Sequence, residues 1–358
     1  MSPHARSSVL LRAALIASVL LGPLLVAAEL SDGPPPIQIT VNQRPVALDP
    51  DTTFGGAVRE LELRAAPGKL LAVDGAVLDR QADPGHLLLN GSQAARSTPL
   101  ATGDTIRVED GTDRVEGTKT SRELIPGRRT SNPMFTLDTT KAVRITTVGR
   151  ISGTAVSVRY RPVGHVHRPP QVALTFDDGP WPSGTRRVLS VLERMKVPAT
   201  FFMVGYLVER YPDIVQSVVR AGMTIGDHSW SHPYRTPFKD LTPHRIQTEV
   251  ERPASFLRHR FHVDVHLFRA PGGSYDGDVI RTARAAGMEL VQWSVDPHDY
   301  RDSAKPAKIA ATVLSQVRPG SIVLMHDGGG DQSATIRALP RIIRGIRRMG
   351  LELVAIDA

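Results

Sequence analysis

The chain has 358 residues, of which 41% are apolar and 22% charged, the make-up of ordinary globular protein with length for two or three domains. It has no cysteine, which excludes a disulfide framework and lipid attachment through an amino-terminal thiol, so its domains must stand on core burial. The 44 basic and 36 acidic residues leave a net charge of +8, but the basic residues are dispersed without a basic-aromatic stripe. That pattern argues against a nucleic-acid partner and suits an anionic envelope polymer or a merely solvated surface.

In chain order, Arg6 and Arg12 precede an uncharged apolar run, Ala13 to Ala28, that ends in Val26-Ala27-Ala28 before Glu29. Residues 1–28 therefore read as a secretory signal peptide, placing the protein outside the cytoplasm, secreted or associated with the cell envelope. The alternative is an uncleaved anchor, the only case in which a membrane partner is expected, although a run broken by Gly22-Pro23 is short for a span. Residues 29–36 form a spacer. From 37 to 110 a small β-rich unit is expected, with a strand at Ile37–Val41, a short helix from Phe54 to Leu63 and a closing strand at Gly103–Val108. This order resembles a ubiquitin-like β-grasp module, which would serve as a spacer, bind a cell-wall polymer or be purely structural. Asn90-Gly91 reads as a hairpin turn rather than a glycosylation site. Residues 111–170 read as a linker with some β structure, in runs Ala142–Val148 and Ala155–Tyr160, and His165 and His167 as a solvated loop.

From 171 to 358 the pattern changes to alternation. Strand-like runs near 172–177, 199–204, 223–227, 266–269, 289–295, 321–325 and 351–356 are separated by helical patterns, such as Val188, Leu189, Val191, Leu192 and Met195, or the segment opened by Pro212. Seven strands alternating with helices predict an α/β domain: a parallel sheet with right-handed crossovers, closed or nearly closed into a distorted (β/α)7 barrel. Pro253 is expected to kink or split its helix.

The chemistry-bearing residues stand at the ends of these strands, the face on which barrel enzymes carry their sites. Val172–Phe176 runs into Asp177 and Asp178 and stops at Gly179-Pro180. Side chains alternate along a strand, so one carboxylate is expected to face a metal and the other a substrate. His228 and His232 stand four positions apart and would project to one side if the segment turns helically. With Asp178 they make a three-ligand set, which leaves a position open for water, as catalytic rather than structural metal sites do. A helical two-histidine protease would need Glu after the first His; Ser229 stands there, and Asp177 is the candidate base instead.

Three further marks close apolar runs: Arg269-Ala270-Pro271-Gly272-Gly273, Asp296-Pro297-His298-Asp299-Tyr300, and Leu324-Met325-His326-Asp327. With Thr175–Gly179 and His228–His232 they complete a set of five by which residues 171–358 resemble the polysaccharide deacetylase (NodB-homology) family, of carbohydrate esterase type. The resemblance implies metal-dependent hydrolysis of N-acetyl, sometimes O-acetyl, groups on a glycan such as peptidoglycan or a chitin-like polymer. It places one divalent ion, Zn2+ first and Co2+ or a similar ion otherwise, on Asp178, His228 and His232. Asp177 would take the proton of the attacking water and Arg269 would orient it; the backbone N–H of Gly272 would hold the oxyanion. His326 would protonate the leaving amine, oriented by Asp299 or, second, Asp296. The family often has an aromatic residue where Gly272 stands and Trp where Tyr300 stands, which bears on the sugar-binding groove more than on the chemistry. Leu324 and Trp293 would help enclose the acetyl methyl, although an apolar residue near a strand end is more often simply core. Two rival readings are a noncatalytic wall-binding barrel and an amidohydrolase or esterase of a small acylated molecule.

Overall fold

The computed structural model describes residues 34–127, 134, 136–163 and 169–356. The leader expected over 1–28 lies outside the described residues, as do His165 and His167. Among the described residues no helix is long and apolar enough to cross a membrane. The chain forms two compact units, the first spanning residues up to 68 with 81–112, the second 69–80 with the remainder from 113.

In the first unit Ile37–Val41 pairs antiparallel with Arg44–Leu48 and parallel with Thr105–Glu109, which pairs antiparallel with His86–Leu89. The helix Phe54–Glu60, capped by the Thr53 hydroxyl on Gly56 N–H, packs Phe54, Ala57 and Val58 against Ile39, Leu48 and Ile106. Asn90 and Gly91 both have positive φ, as a tight hairpin turn requires, and the Asn90 side chain is bonded to Asp104 and to Thr105 N–H.

In the second unit, part of the stretch that reads as linker forms an antiparallel sheet, with Ala142–Gly149 between Thr118–Ile125 and Ala155–Pro162. The strand Thr118–Ile125 carries almost no apolar alternation, so periodicity does not reveal it. The buried Glu116 carboxylate ties its start to two turns, accepting from Val73, Ile151 and Ser152 N–H and from the Ser152 hydroxyl.

The remainder is an all-parallel sheet. Its strands are β1 (Gln171–Gly179), β2 (Thr200–Met203), β3 (Thr224–Asp227), β4 (Leu267–Phe268), β5 (Glu289–Leu290), β6 (Ile322–His326) and β7 (Glu352–Val354). The order is β5-β4-β3-β2-β1-β6, and β7 pairs with the first residues of β1. Past β5 the chain bends round until Val295 bridges Val323 in parallel, with Leu324 N–H donating to Val295 O at 2.9 Å, so the two ends of the curled sheet meet at one bridge. Val172 to Phe176 are fully buried because sheet and helices cover both faces of β1. The covering helices include α1 (Thr185–Met195), α2 (Gly205–Arg210), α3 (Pro212–Arg220), α4 (Pro243–Phe261), α5 (Gly277–Ala285), α6 (Pro306–Gln316) and α7 (Ser333–Arg348). In α7, Ile336, Leu339, Ile342, Ile343 and Ile346 face the core while Arg337, Arg341 and Arg344 are exposed, the stripe expected of a 3.6-residue period.

Of the kink or split expected at Pro253, the split fails. Pro253 does not split its helix: α4 continues through it, and the carbonyl it deprives of a helical partner, that of Glu249, accepts Trp230 N–H at 2.9 Å instead.

Candidate active site

β1 ends in a bulge. The pairing with β2 shifts between Asp177 and Gly179, and Asp178 adopts φ +73°, a left-handed conformation that Asp tolerates better than most residues. The bulge cancels the alternation of side chains, so the two carboxylates do not part to opposite sides: both approach His228 Nε2, Asp178 Oδ1 at 3.5 Å and Asp177 Oδ2 at 3.8 Å. Gly328 lies so close beneath that a Cβ there would stand 1.9 Å from the Asp178 carbonyl oxygen.

His228 and His232 follow β3 on a loop, not on a helical turn. Ser229 (φ +67°) and His232 (φ +47°) are both left-handed, and the imidazoles of His228 and His232 come within 5.0 Å, centre to centre. His228 Nδ1 donates to Arg269 O at 2.7 Å, which aims Nε2 at Asp178; His232 Nε2 lies 3.2 Å from the same Asp178 Oδ1. That oxygen is shielded from solvent and accepts no hydrogen bond. Asp178, His228 and His232 thus converge, with donor atoms within 4.8 Å of one another. An orphaned carboxylate oxygen facing two imidazole nitrogens fits a single divalent cation with a nitrogen and oxygen donor set. Burial opposes ionisation of Asp178, but His228, His326 and His232 pull it well below the usual carboxylate range. For His228 burial is outweighed by Asp177 and Asp178, and its pKa rises; for His232 burial and the His228 charge lower it.

Arg269, after β4, is fully buried against the faces of Phe202 and Trp293. Its Nη1 donates to Asp177 Oδ1 at 2.7 Å and to Thr175 Oγ1 at 2.8 Å, while Nη2 and Nε donate to the carbonyls of Gln292 and Val291. Asp177, 2% exposed, is thereby held by one oxygen with the other turned to the histidines.

At the end of β6, His326 Nδ1 donates to Asp299 Oδ1 at 2.8 Å, and Asp299 Oδ2 accepts from His326 N–H at 2.9 Å and from Thr335 Oγ1 at 2.7 Å. Burial alone would lower the His326 pKa; the Asp299 bond and charge, with Asp177 and Asp178, raise it to about 9. Asp296 lines the same cavity but is bonded to other partners, with His298 N–H at 2.7 Å, His298 Nδ1 at 3.1 Å and the Tyr300 hydroxyl at 3.5 Å. Tyr300 is half exposed and meets His326 edge-on with ring centres 5.3 Å apart. Asp177, Asp178, His228, His232, Asp296, Tyr300 and His326, with Gly272 (φ +63°), Trp293 and Leu324, line one cavity of about 280 Å³.

Several members of the site were given no role by the sequence reading, although Thr175 and Asp327 stand within its motifs. Thr175 and Thr335 are hidden in strand and helix patterns, where a Thr is unremarkable. Asp227 and Asp327 flank motif histidines and are fully buried. Burial raises Asp227 well above the carboxylate range and Asp327 to about 7. Asp227 Oδ1 accepts Ser229 N–H at 2.7 Å, which fixes the backbone between the two histidines, whereas Asp327 Oδ2 accepts from the Thr185 hydroxyl.

Comparison with known proteins follows the same residues. Residues 165–291 match the profile of the polysaccharide deacetylase family. A peptidoglycan-N-acetylglucosamine deacetylase of Bacillus cereus is 37% identical over 188 residues, covering 52% of this chain and 86% of that protein. A chitooligosaccharide deacetylase of Bradyrhizobium sp. is 36% identical over 208 residues, covering 54% of this chain and 92% of that protein. Among solved structures, a peptidoglycan N-acetylglucosamine deacetylase in complex with 4-naphthalen-1-yl-N-oxidanyl-benzamide aligns with a TM-score of 0.50 and 29% identity, over 53% of this chain and 88% of that one. Through its carboxyl-terminal half, with its curled parallel sheet, this chain belongs to the polysaccharide deacetylase family, hydrolases of carbon–nitrogen bonds.

Proposed function

We propose that the protein is an exported deacetylase that removes N-acetyl groups from a glycan of N-acetylglucosamine units, of peptidoglycan or chitin type, using one divalent cation, zinc first, on Asp178, His228 and His232. The observation that carries this reading is one cavity in which that ligand set meets Asp177 and His326, each paired with an opposite charge, Arg269 and Asp299 respectively. When bound, the cation would supply Lewis acidity to the acetyl carbonyl and to water. Asp177 would accept the proton of the attacking water through Oδ2, because Oδ1 is engaged by Arg269. His326 would deliver a proton from Nε2 to the departing amine, because Nδ1 is engaged by Asp299, and a pKa near 9 keeps it an imidazolium at neutral pH. The backbone N–H of Gly272 would face the developing oxyanion, and Leu324, Trp293 and Tyr300 would enclose the acetyl methyl and its sugar.

Export is supported by the Ala13–Ala28 pattern. The mixed sheet of the first unit, its outer hairpin strand beside a parallel pair and one helix packed on it, supports reading residues 37–110 as a β-grasp-like module able to bind wall polymer. The test is acetate release by the purified, zinc-loaded protein from N-acetylglucosamine oligomers, peptidoglycan and small acetamides, with Asp177→Asn alongside. Turnover of the glycans, its near-complete loss in Asp177→Asn and retention of the metal are expected. Release from small acetamides alone sinks the glycan reading, and an active Asp177→Asn removes Asp177 as the base.

A further inference from the structure

A loop that must aim two imidazoles at one point depends on whatever fixes its backbone, and here the fixing comes from α4. Between His228 and His232, Trp230 N–H donates to the Glu249 carbonyl at 2.9 Å. Ser231 N–H donates to Glu249 Oε2 at 2.7 Å and the Ser231 hydroxyl to Oε1 at 2.6 Å. Arg245, one turn earlier on α4, closes the group: its Nε donates to Glu249 Oε1 at 2.8 Å and its Nη2 to Ser231 Oγ at 3.1 Å. Glu249 is 1% exposed. A single helical residue therefore receives three hydrogen bonds from the two consecutive loop residues nearest the midpoint of the histidine pair.

The helix is adapted to this. In a regular helix the Glu249 carbonyl would accept the N–H of residue 253, but residue 253 is proline and has none. A proline inside a helix costs about 3 kcal/mol. It falls where the released carbonyl is taken by the loop, and its ring packs over Gly205, where a Cβ would stand 3.1 Å from Pro253 Cγ. On the other side of the loop, Gly205 and Tyr206 N–H donate to the carbonyls of Ser229 and Trp230 at 2.9 and 3.0 Å. The loop is clamped between α4 and the start of α2.

We infer that Glu249 is a positioning residue for the cation site, with Pro253 releasing its carbonyl for the task. It holds the left-handed loop conformation in which His228 and His232 present Nε2 to Asp178. This rests on the reading that those three residues hold a divalent cation. The test uses the purified protein and its Glu249→Gln and Pro253→Ala variants. Zinc affinity is measured by competition with a chromophoric chelator, and thermal melting is followed on the metal-free forms. Glu249→Gln keeps the volume of the side chain but turns a donor toward Ser231 N–H, and should lose about tenfold to a hundredfold in zinc affinity, the range typical of partners that orient metal ligands. Pro253→Ala restores a competing helical N–H at the Glu249 carbonyl, so its zinc affinity should fall while the metal-free protein melts no lower than the parent. If Glu249→Gln does not fold, Pro253→Ala decides alone. Parent-level zinc affinity in the folded variants overturns the inference, whereas a parent that binds no zinc overturns the cation reading beneath it.

Discussion

Asp299→Asn separates charge from geometry at the proton donor. The substitution keeps a side chain of the same shape beside His326 Nδ1 but removes the charge that, with its hydrogen bond, is the largest influence raising the imidazole from 6.5 to about 9. That rise corresponds to about 3 kcal/mol of preference for the imidazolium. With a pKa near 9, His326 is almost wholly protonated at pH 7 and about nine-tenths protonated at pH 8; returned to its ordinary value it would be about one-quarter and one-thirtieth protonated. Activity of Asp299→Asn should therefore fall about fourfold below the parent at pH 7 and about thirtyfold at pH 8, with almost no charge-related defect at pH 6. A cation on Asp178 would offset part of the acidic field that raises His326 and so lessen these factors, whereas burial without the Asp299 charge would increase them. The assay is kcat/KM for acetate release from an N-acetylglucosamine oligomer between pH 5.5 and 10. An alkaline limb that stays in place in Asp299→Asn, or a defect of the same size at every pH, refutes the assignment of His326 as the acid tuned by Asp299. Thr335→Val, which removes one hydrogen bond from Asp299 and no charge, should leave the alkaline limb close to that of the parent; a shift as large as that of Asp299→Asn would mean that geometry and not charge sets it.

Two further outcomes probe the scaffold. Arg269→Met leaves Asp177 as an uncompensated buried carboxylate and should destabilise the metal-free fold by about 3–5 kcal/mol in urea titration, besides abolishing turnover; a loss below 1 kcal/mol would show that Arg269 is not what sustains that charge. The Glu116 carboxyl is drawn down from 4.5 to about 2, chiefly by the Ser152 hydroxyl and then, against burial, by the N–H groups of Ile151, Ser152 and Val73. Its folded pKa lies below the unfolded one, so its contribution is complete above about pH 4.5 and is lost as pH falls toward 2. Glu116→Gln should therefore melt lower than the parent at pH 7, with the gap closing toward pH 2; a gap that is constant with pH contradicts this.

What was legible in the sequence and what was not divides along a physical line. The apolar runs that end at Asp177 and His326 are long enough to show burial on both faces, and a parallel sheet brings the ends of its strands together whatever the loops do between them. The convergence of Asp178 with His228 and His232 was accessible on that basis, fifty residues of intervening chain notwithstanding. The local geometry was not. Regular periodicity puts Asp177 and Asp178 on opposite faces and would put His228 and His232 on one side of a helical turn. Both predictions assume right-handed or extended backbone throughout, and Asp178, Ser229 and His232 depart from it at positive φ. Such conformations cost free energy and persist only where neighbours over-determine them. Here the neighbours are Gly328 under Asp178, and Asp227 and Glu249 around Ser229 and Ser231, all distant or unremarkable in the linear pattern. The same reasoning explains Pro253. As a helix breaker it reads as a defect, because the benefit lies in a hydrogen bond to a loop more than twenty residues earlier. The strained backbone around the ligands and the proline in α4 are thus two ends of one arrangement, in which the sheet sets where the functional groups meet and irregular, externally braced turns set the direction in which they point.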